Sequence, residues 1–180
     1  MGKVIKAIWP FIVAIGLASP ASAKVVQAND NGFVTLATAE VRASPDAIWK
    51  ALIHPELWWN KNHSWSGDAR NFSMTVATGG CFCEALPNSG FVEHARIVFA
   101  KPSRMLRLSG ALGPLQGEAL SATLTVKIEP GKAGINTVSF EYVVGGYSRM
   151  ALSGMAAPVD SVIAEQHRRL VGLIENGRPD

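Results

Sequence analysis

The last long stretch of the chain, residues 155–176, sets the terms for everything before it. At about 100° per residue, Val159, Val162, Ile163, Leu170, Leu173 and Ile174 fall within one arc of roughly 120°, while Asp160, Glu165, Arg168, Arg169 and Glu175 occupy the remainder. That stripe predicts a single amphipathic helix. Gly177 suits the left-handed residue that closes it, and Pro179 blocks continuation. Gln166 sits in the middle of the apolar arc, where its amide needs a partner in the protein, in water or in a ligand. Almost everything upstream reads as strand, so the helix must bury its stripe against a sheet.

At the other end, Lys3 and Lys6 precede an apolar run over residues 7–18, and Ala21-Ser22-Ala23 follows. A basic head, a hydrophobic run and small residues two apart predict a secretory signal over residues 1–23, cut after Ala23. At about 12 residues the run is short of the roughly 20 needed to span a bilayer, so no stable membrane anchor is expected after cleavage. The product is expected to be exported: periplasmic in a Gram-negative cell, extracellular otherwise. Residues 24–31 are expected as a loose terminus, 32–177 as one domain and 178–180 as a tail. The formal charge of +3 falls by two once Lys3 and Lys6 are removed, and the remaining charges are scattered. Nucleic-acid binding has no support in such a pattern.

Within the domain, a first strand over residues 33–42 runs into Ser44-Pro45-Asp46, a hydroxyl cap, a first-turn proline and an acid that together start a helix. Ile48, Ala51 and Leu52 give it a buried face, Pro55 ends it, and residues 56–59 suggest a second short helical piece. From Phe72 the period becomes two. Leu120, Ala122, Leu124, Val126 and Ile128 alternate with polar neighbours, as do Val138, Phe140, Tyr142 and Val144. Further strands are read over 72–76, 81–86, 91–100 and 104–109, separated by short turn-forming breaks that favour antiparallel pairing.

The run Ala43-Ser44-Pro45-Asp46-Ala47-Ile48-Trp49-Lys50-Ala51-Leu52, the Trp58-Trp59 pair, the meander and the closing helix together resemble the START/Bet v 1 helix-grip (SRPBCC) superfamily. Within it the chain is most similar to bacterial polyketide cyclase-like and Hsp90-ATPase-activator-like proteins. The resemblance implies an α+β helix-grip fold: a curved antiparallel sheet of about seven strands around a long C-terminal helix, with two short helices after the first strand. It also implies a cavity for an apolar small molecule, and it supplies no catalytic set.

Site residues must therefore be argued one by one. A pocket between a concave sheet and a helix is apolar with a few orienting polar groups, which points to Leu124, Phe140, Tyr142, Gln166 and Leu170. In the 91–100 strand, Phe91, Glu93, Ala95, Ile97 and Phe99 form the more apolar face. Glu93 is thus either inward, needing a partner or a raised pKa, or a surface carboxylate. Trp58, Trp59 and Trp65 with His63 either line a pocket mouth or seal the short helices onto the sheet. Leu112 and Leu115 lie in a glycine-rich 110–117 segment that is either a lid or a loop folded on its own leucines.

Cys81 and Cys83 point the same way at about 6.6 Å on a regular strand, too far for a bridge without a bend or bulge. Two neighbouring thiols are the expectation, a strained bridge the alternative. No metal-ligand spacing joins them to His63 or His94, and no cofactor is called for. The leading functional expectation is a carrier or sensor of an apolar or aromatic small molecule. The alternatives are a cyclase- or aldolase-type enzyme using Glu93, His63 or Tyr142 as acid or base, and a protein-interaction module.

Overall fold

The computed structural model describes residues 22–179. It has eight strands and two α-helices: β1 (Ser22–Asn29), β2 (Gly32–Val41), α1 (Pro45–Leu52), β3 (Phe72–Met74), β4 (Cys81–Ala85), β5 (Phe91–Lys101), β6 (Met105–Ser109), β7 (Ala119–Pro130), β8 (Asn136–Tyr147) and α2 (Leu152–Asn176). All strands join one antiparallel sheet in the order β1-β2-β8-β7-β6-β5-β4-β3. This is the α+β helix-grip arrangement, with one strand more than the seven expected.

The additional strand is β1. Residues 24–31 are not a loose terminus: residues 24–29 lie within β1, paired with β2, and the following turn joins the two. The strand was illegible because only Val25 is even partly buried, so no alternation marks it; the backbone ladder with β2 forms it instead. The expected export signal, residues 1–23, lies outside the described residues except for Ser22 and Ala23, which open β1.

The helix ends follow from the local chemistry. Ser44 Oγ accepts from the Ala47 N–H, with Pro45 in the first turn, and α1 buries Ile48 and Leu52. Gly177 at φ 73° closes α2 in the left-handed region, its N–H donating to Leu173 O. Helix α2 begins at Leu152, not 155, and carries Pro158 inside it; it packs against β1, β2 and β8. The core forms where its buried Ile163 and Leu170 meet the inward faces of β2, β7 and β8, including Phe33, Val126 and Phe140. Leu124 and Leu170 are part of that core.

Strand β5 departs from simple alternation. Opposite β4, Phe82 faces Ala95 and Cys83 faces Glu93, so His94 is an extra residue, a bulge. A second irregularity opposite β6 leaves Val98 as the extra residue. The first bulge reverses the phase of side chains: His94 and Ala95 are both buried, while Phe91 is exposed and Glu93 is only partly covered. Glu93 is therefore not an inward carboxylate. It is ion-paired with Arg96 at 2.8 Å near the surface.

At the same level, Cys81 and Cys83 are joined by a disulfide with their Cα atoms 5.5 Å apart. This corrects the expectation of paired thiols. That Cα separation is shorter than the about 6.6 Å of a regular strand, and it is the departure from regular geometry that bridging two residues on one face requires.

Candidate functional site

The segment between α1 and β3 contains three short 3-10 turns, Pro55–Leu57, Lys61–His63 and Ala69–Asn71. Two of them are started by side chains that cap their own backbone: Asn60 accepts from the Asn62 N–H and Asp68 from the Arg70 N–H. The indoles tie the segment down. Trp58 Nε1 donates to Ala51 O at 3.1 Å, and Trp59 Nε1 donates to His63 O at 3.0 Å.

Helix α2 holds the segment from the other side. Gln166 Oε1 accepts from the Asn60 N–H at 2.8 Å, and Arg169 Nε donates to Trp58 O at 2.8 Å. His63 Nε2 lies 2.9 Å from Glu165 Oε2, and Asn60 Nδ2 also donates to Glu165. The polar residue in the apolar stripe of α2 thus has a backbone partner and acts as a clamp for the aromatic segment.

Between this segment, the first half of α2 and the sheet lies a cavity of about 400 Å³. Trp59, Asn62, His63, Ser64 and Trp65 border it on one side, and Leu112, Gly113, Pro114 and Leu115 on another. Met155, Pro158, Val159, Val162 and Ile163 of α2 border it too, with Tyr142 and His94 from the sheet. Trp65 is 57% exposed, so its indole stands at the opening. The wall is chiefly apolar with few polar groups, the composition of a small-molecule site.

Tyr142 is fully buried, and its hydroxyl is occupied at both ends. It accepts from the Leu112 N–H at 2.8 Å and donates to Gly110 O at 3.2 Å. Burial pushes this hydroxyl above the usual tyrosine range, with the Leu112 N–H opposing. Its role is to fasten the root of the 110–117 segment, whose Leu115 is buried against the cavity.

His94 of the wall is paired with Glu84, which is not itself a lining residue. Glu84 shares the inward face of β4 with Phe82, and the bulge turns His94 towards it. Their side chains are 0% and 5% exposed, with His94 Nε2 at 2.9 Å from Glu84 Oε2. Glu84 also accepts the backbone N–H groups of Trp65, at 3.1 Å, and Ser66. Burial pushes its carboxyl up, but the hydrogen bonds from Ser66, Trp65 and His94 prevail and hold it below the usual range. Burial pushes the His94 imidazole down, with Glu84 opposing. The pair at neutral pH is an ionised carboxylate and a neutral imidazole.

Of the residues read from the sequence, Trp59, His63, Trp65, Leu112, Leu115 and Tyr142 border the cavity, whereas Trp58, Leu124, Phe140, Gln166 and Leu170 are not among its lining residues. Trp58 packs edge-on against Phe140 with centroids 6.1 Å apart, and Phe140 against His167 at 5.2 Å. Of the three acid-base candidates, His63 is paired with Glu165, Tyr142 with backbone, and Glu93 with Arg96. Sequence reasoning missed Glu84 and His94. Glu84 was legible, being two residues from the inward Phe82; His94 was not, because simple alternation puts it on the opposite face. Among the described residues no group of three or more His, Cys, Asp or Glu is placed to hold a metal ion.

No protein-family model matches the chain, and no curated protein matches it by sequence. Solved structures do match. EF2215 of Enterococcus faecalis, a conserved protein of unknown function, is similar with a TM-score of 0.61 at 9% identity, over 86% of this chain and 78% of that one. CalU16 of Micromonospora echinospora matches with a TM-score of 0.53 at 13% identity, over 86% of this chain and 84% of that one. DynU16, from the dynemicin biosynthetic locus, matches with a TM-score of 0.56 at 16% identity, over 81% of this chain and 48% of that one. At these identities the likeness is one of fold.

Proposed function

We propose that this chain binds a hydrophobic small molecule in the cavity between the sheet and α2, as a carrier or sensor in the space outside the cytoplasm. The observation that carries the reading is the cavity itself: about 400 Å³, walled by Trp59, Leu112, Leu115, Val159 and Ile163, with Trp65 at its opening. Export is part of the proposal. The pattern of residues 1–23 supports it, and so does the Cys81–Cys83 bridge, since disulfides persist in oxidising compartments.

Native mass spectrometry of the protein purified from the exported fraction tests the reading, followed by denaturing extraction of whatever is released. A stoichiometric apolar adduct is expected, and it should be lost in Val159→Trp, which fills the cavity from a partly exposed helix position. No adduct, together with no thermal stabilisation by a broad lipid and aromatic library, refutes it.

A second reading, acid-base chemistry of the cyclase or aldolase type in the same cavity, has one observation in its favour: the buried Glu84–His94 pair. It requires that a recovered ligand be chemically changed by the wild-type protein and unchanged by His94→Phe.

A further inference from the structure

Glu84 and His94 offer more chemistry than fastening a loop requires. Holding residues 65 and 66 against β4 takes the carboxylate and two backbone N–H groups, with no need for an imidazole at the cavity wall. The imidazole is nonetheless fixed in place. Its Nε2 is 2.9 Å from Glu84, and its ring lies beside Phe72 and Phe82 with centroids 5.2 and 5.0 Å apart. An ionised carboxylate can only accept, so Nε2 carries a proton, and because burial keeps the ring neutral, Nδ1 keeps a lone pair. Among the described residues, no donor reaches that lone pair, although the residue is almost wholly buried.

We propose, resting on the cavity reading above, that His94 Nδ1 accepts a hydrogen bond from a hydroxyl of the bound molecule, so that the site selects hydroxylated aromatic compounds. The indoles of Trp59 and Trp65 on the cavity wall supply flat apolar surface for the ring system. A hydrocarbon of the same shape covers the acceptor at the cavity wall and leaves it unpaired, and an ether or ketone offers a second lone pair where a proton is needed. A carboxylate would bring a second negative charge next to the ionised Glu84 in a poorly solvated site.

The test compares 2-naphthol with the near-isosteric 2-methylnaphthalene and with 2-naphthoate, by calorimetric titration of the full chain and of His94→Phe. The wild-type protein should bind 2-naphthol at least about tenfold more tightly than either analogue, and the preference over 2-methylnaphthalene should vanish in the variant. On uniformly labelled wild-type protein, the His94 Nδ1 resonance should start at an unprotonated position and move with 2-naphthol but not with 2-methylnaphthalene. This readout stands if the variant fails to fold. Equal or tighter binding of 2-methylnaphthalene, as hydrophobicity alone dictates, overturns hydroxyl recognition and leaves the cavity reading intact. Binding of none of the three, nor of any library compound, overturns both.

Discussion

The hydroxyl of Tyr142 is a single atom that holds the root of the 110–117 segment, and its removal gives a measurable effect. Tyr142→Phe keeps the buried ring but deletes the bond from the Leu112 N–H at 2.8 Å and the bond to Gly110 O at 3.2 Å. Each is worth about 1 kcal/mol net, so the loss should be about 2 kcal/mol, rising towards about 4 if neither backbone group finds water. In a domain of this size 1 kcal/mol corresponds to about 2–4 °C, which places the fall in Tm at about 4–8 °C at the lower energy. Thermal unfolding followed by circular dichroism measures that fall, and hydrogen exchange at the Leu112 amide locates it. Ligand affinity should fall as well, because Leu112 and Leu115 form part of the cavity wall. A Tm within about 1 °C of wild type, with Leu112 still protected, would refute the anchoring role.

Three further outcomes follow from the geometry. His94 and His167 are both held neutral by burial, below the usual histidine range, so the unfolded chain takes up protons that the folded one resists. Stability should therefore fall as the pH drops below about 6.5, with a slope of up to about 1.4 kcal/mol per pH unit for each histidine; a flat denaturation midpoint between about pH 7.5 and 5 would contradict this. Gly110→Ala places a Cβ at 2.3 Å from His94 O and 2.7 Å from Ala95 Cα, so it should cost at least about 1–3 kcal/mol and shift the His94 resonances through the bulge; an unperturbed spectrum would count against it. The Cys81–Cys83 bridge closes a very short loop, so Cys81→Ser with Cys83→Ser should cost only about 1–2 kcal/mol in urea unfolding, and a loss above about 4 would show that the bridge supports more than its own loop.

What was legible in the sequence is what rests on local chemistry and on periodicity. Ser44 and Pro45 start α1, Gly177 ends α2, and the alternation of residues 120–128 gives the inward face of β7, all through interactions within a few residues of one another. Strand β1 was invisible because an exposed edge strand carries no alternation, and only pairing with β2 gives it form. Trp58, Phe140 and Leu170 read as pocket residues because an inward apolar side chain looks the same in sequence whether it meets a ligand or another side chain.

The sequence by itself therefore determined the order of strands and α-helices from β2 onwards, the closing helix and the sheet that it needs. Tertiary structure alone decided which inward residues border open space, and it decided the chemistry of that space. The bulge at His94 is the clearest instance: one unpaired residue reverses the phase of β5, sends Glu93 towards the surface and brings His94 onto Glu84. No residue near position 94 announces that step. A register between two strands is settled by the sum of packing on both faces, and local propensity contributes only a small part of that sum.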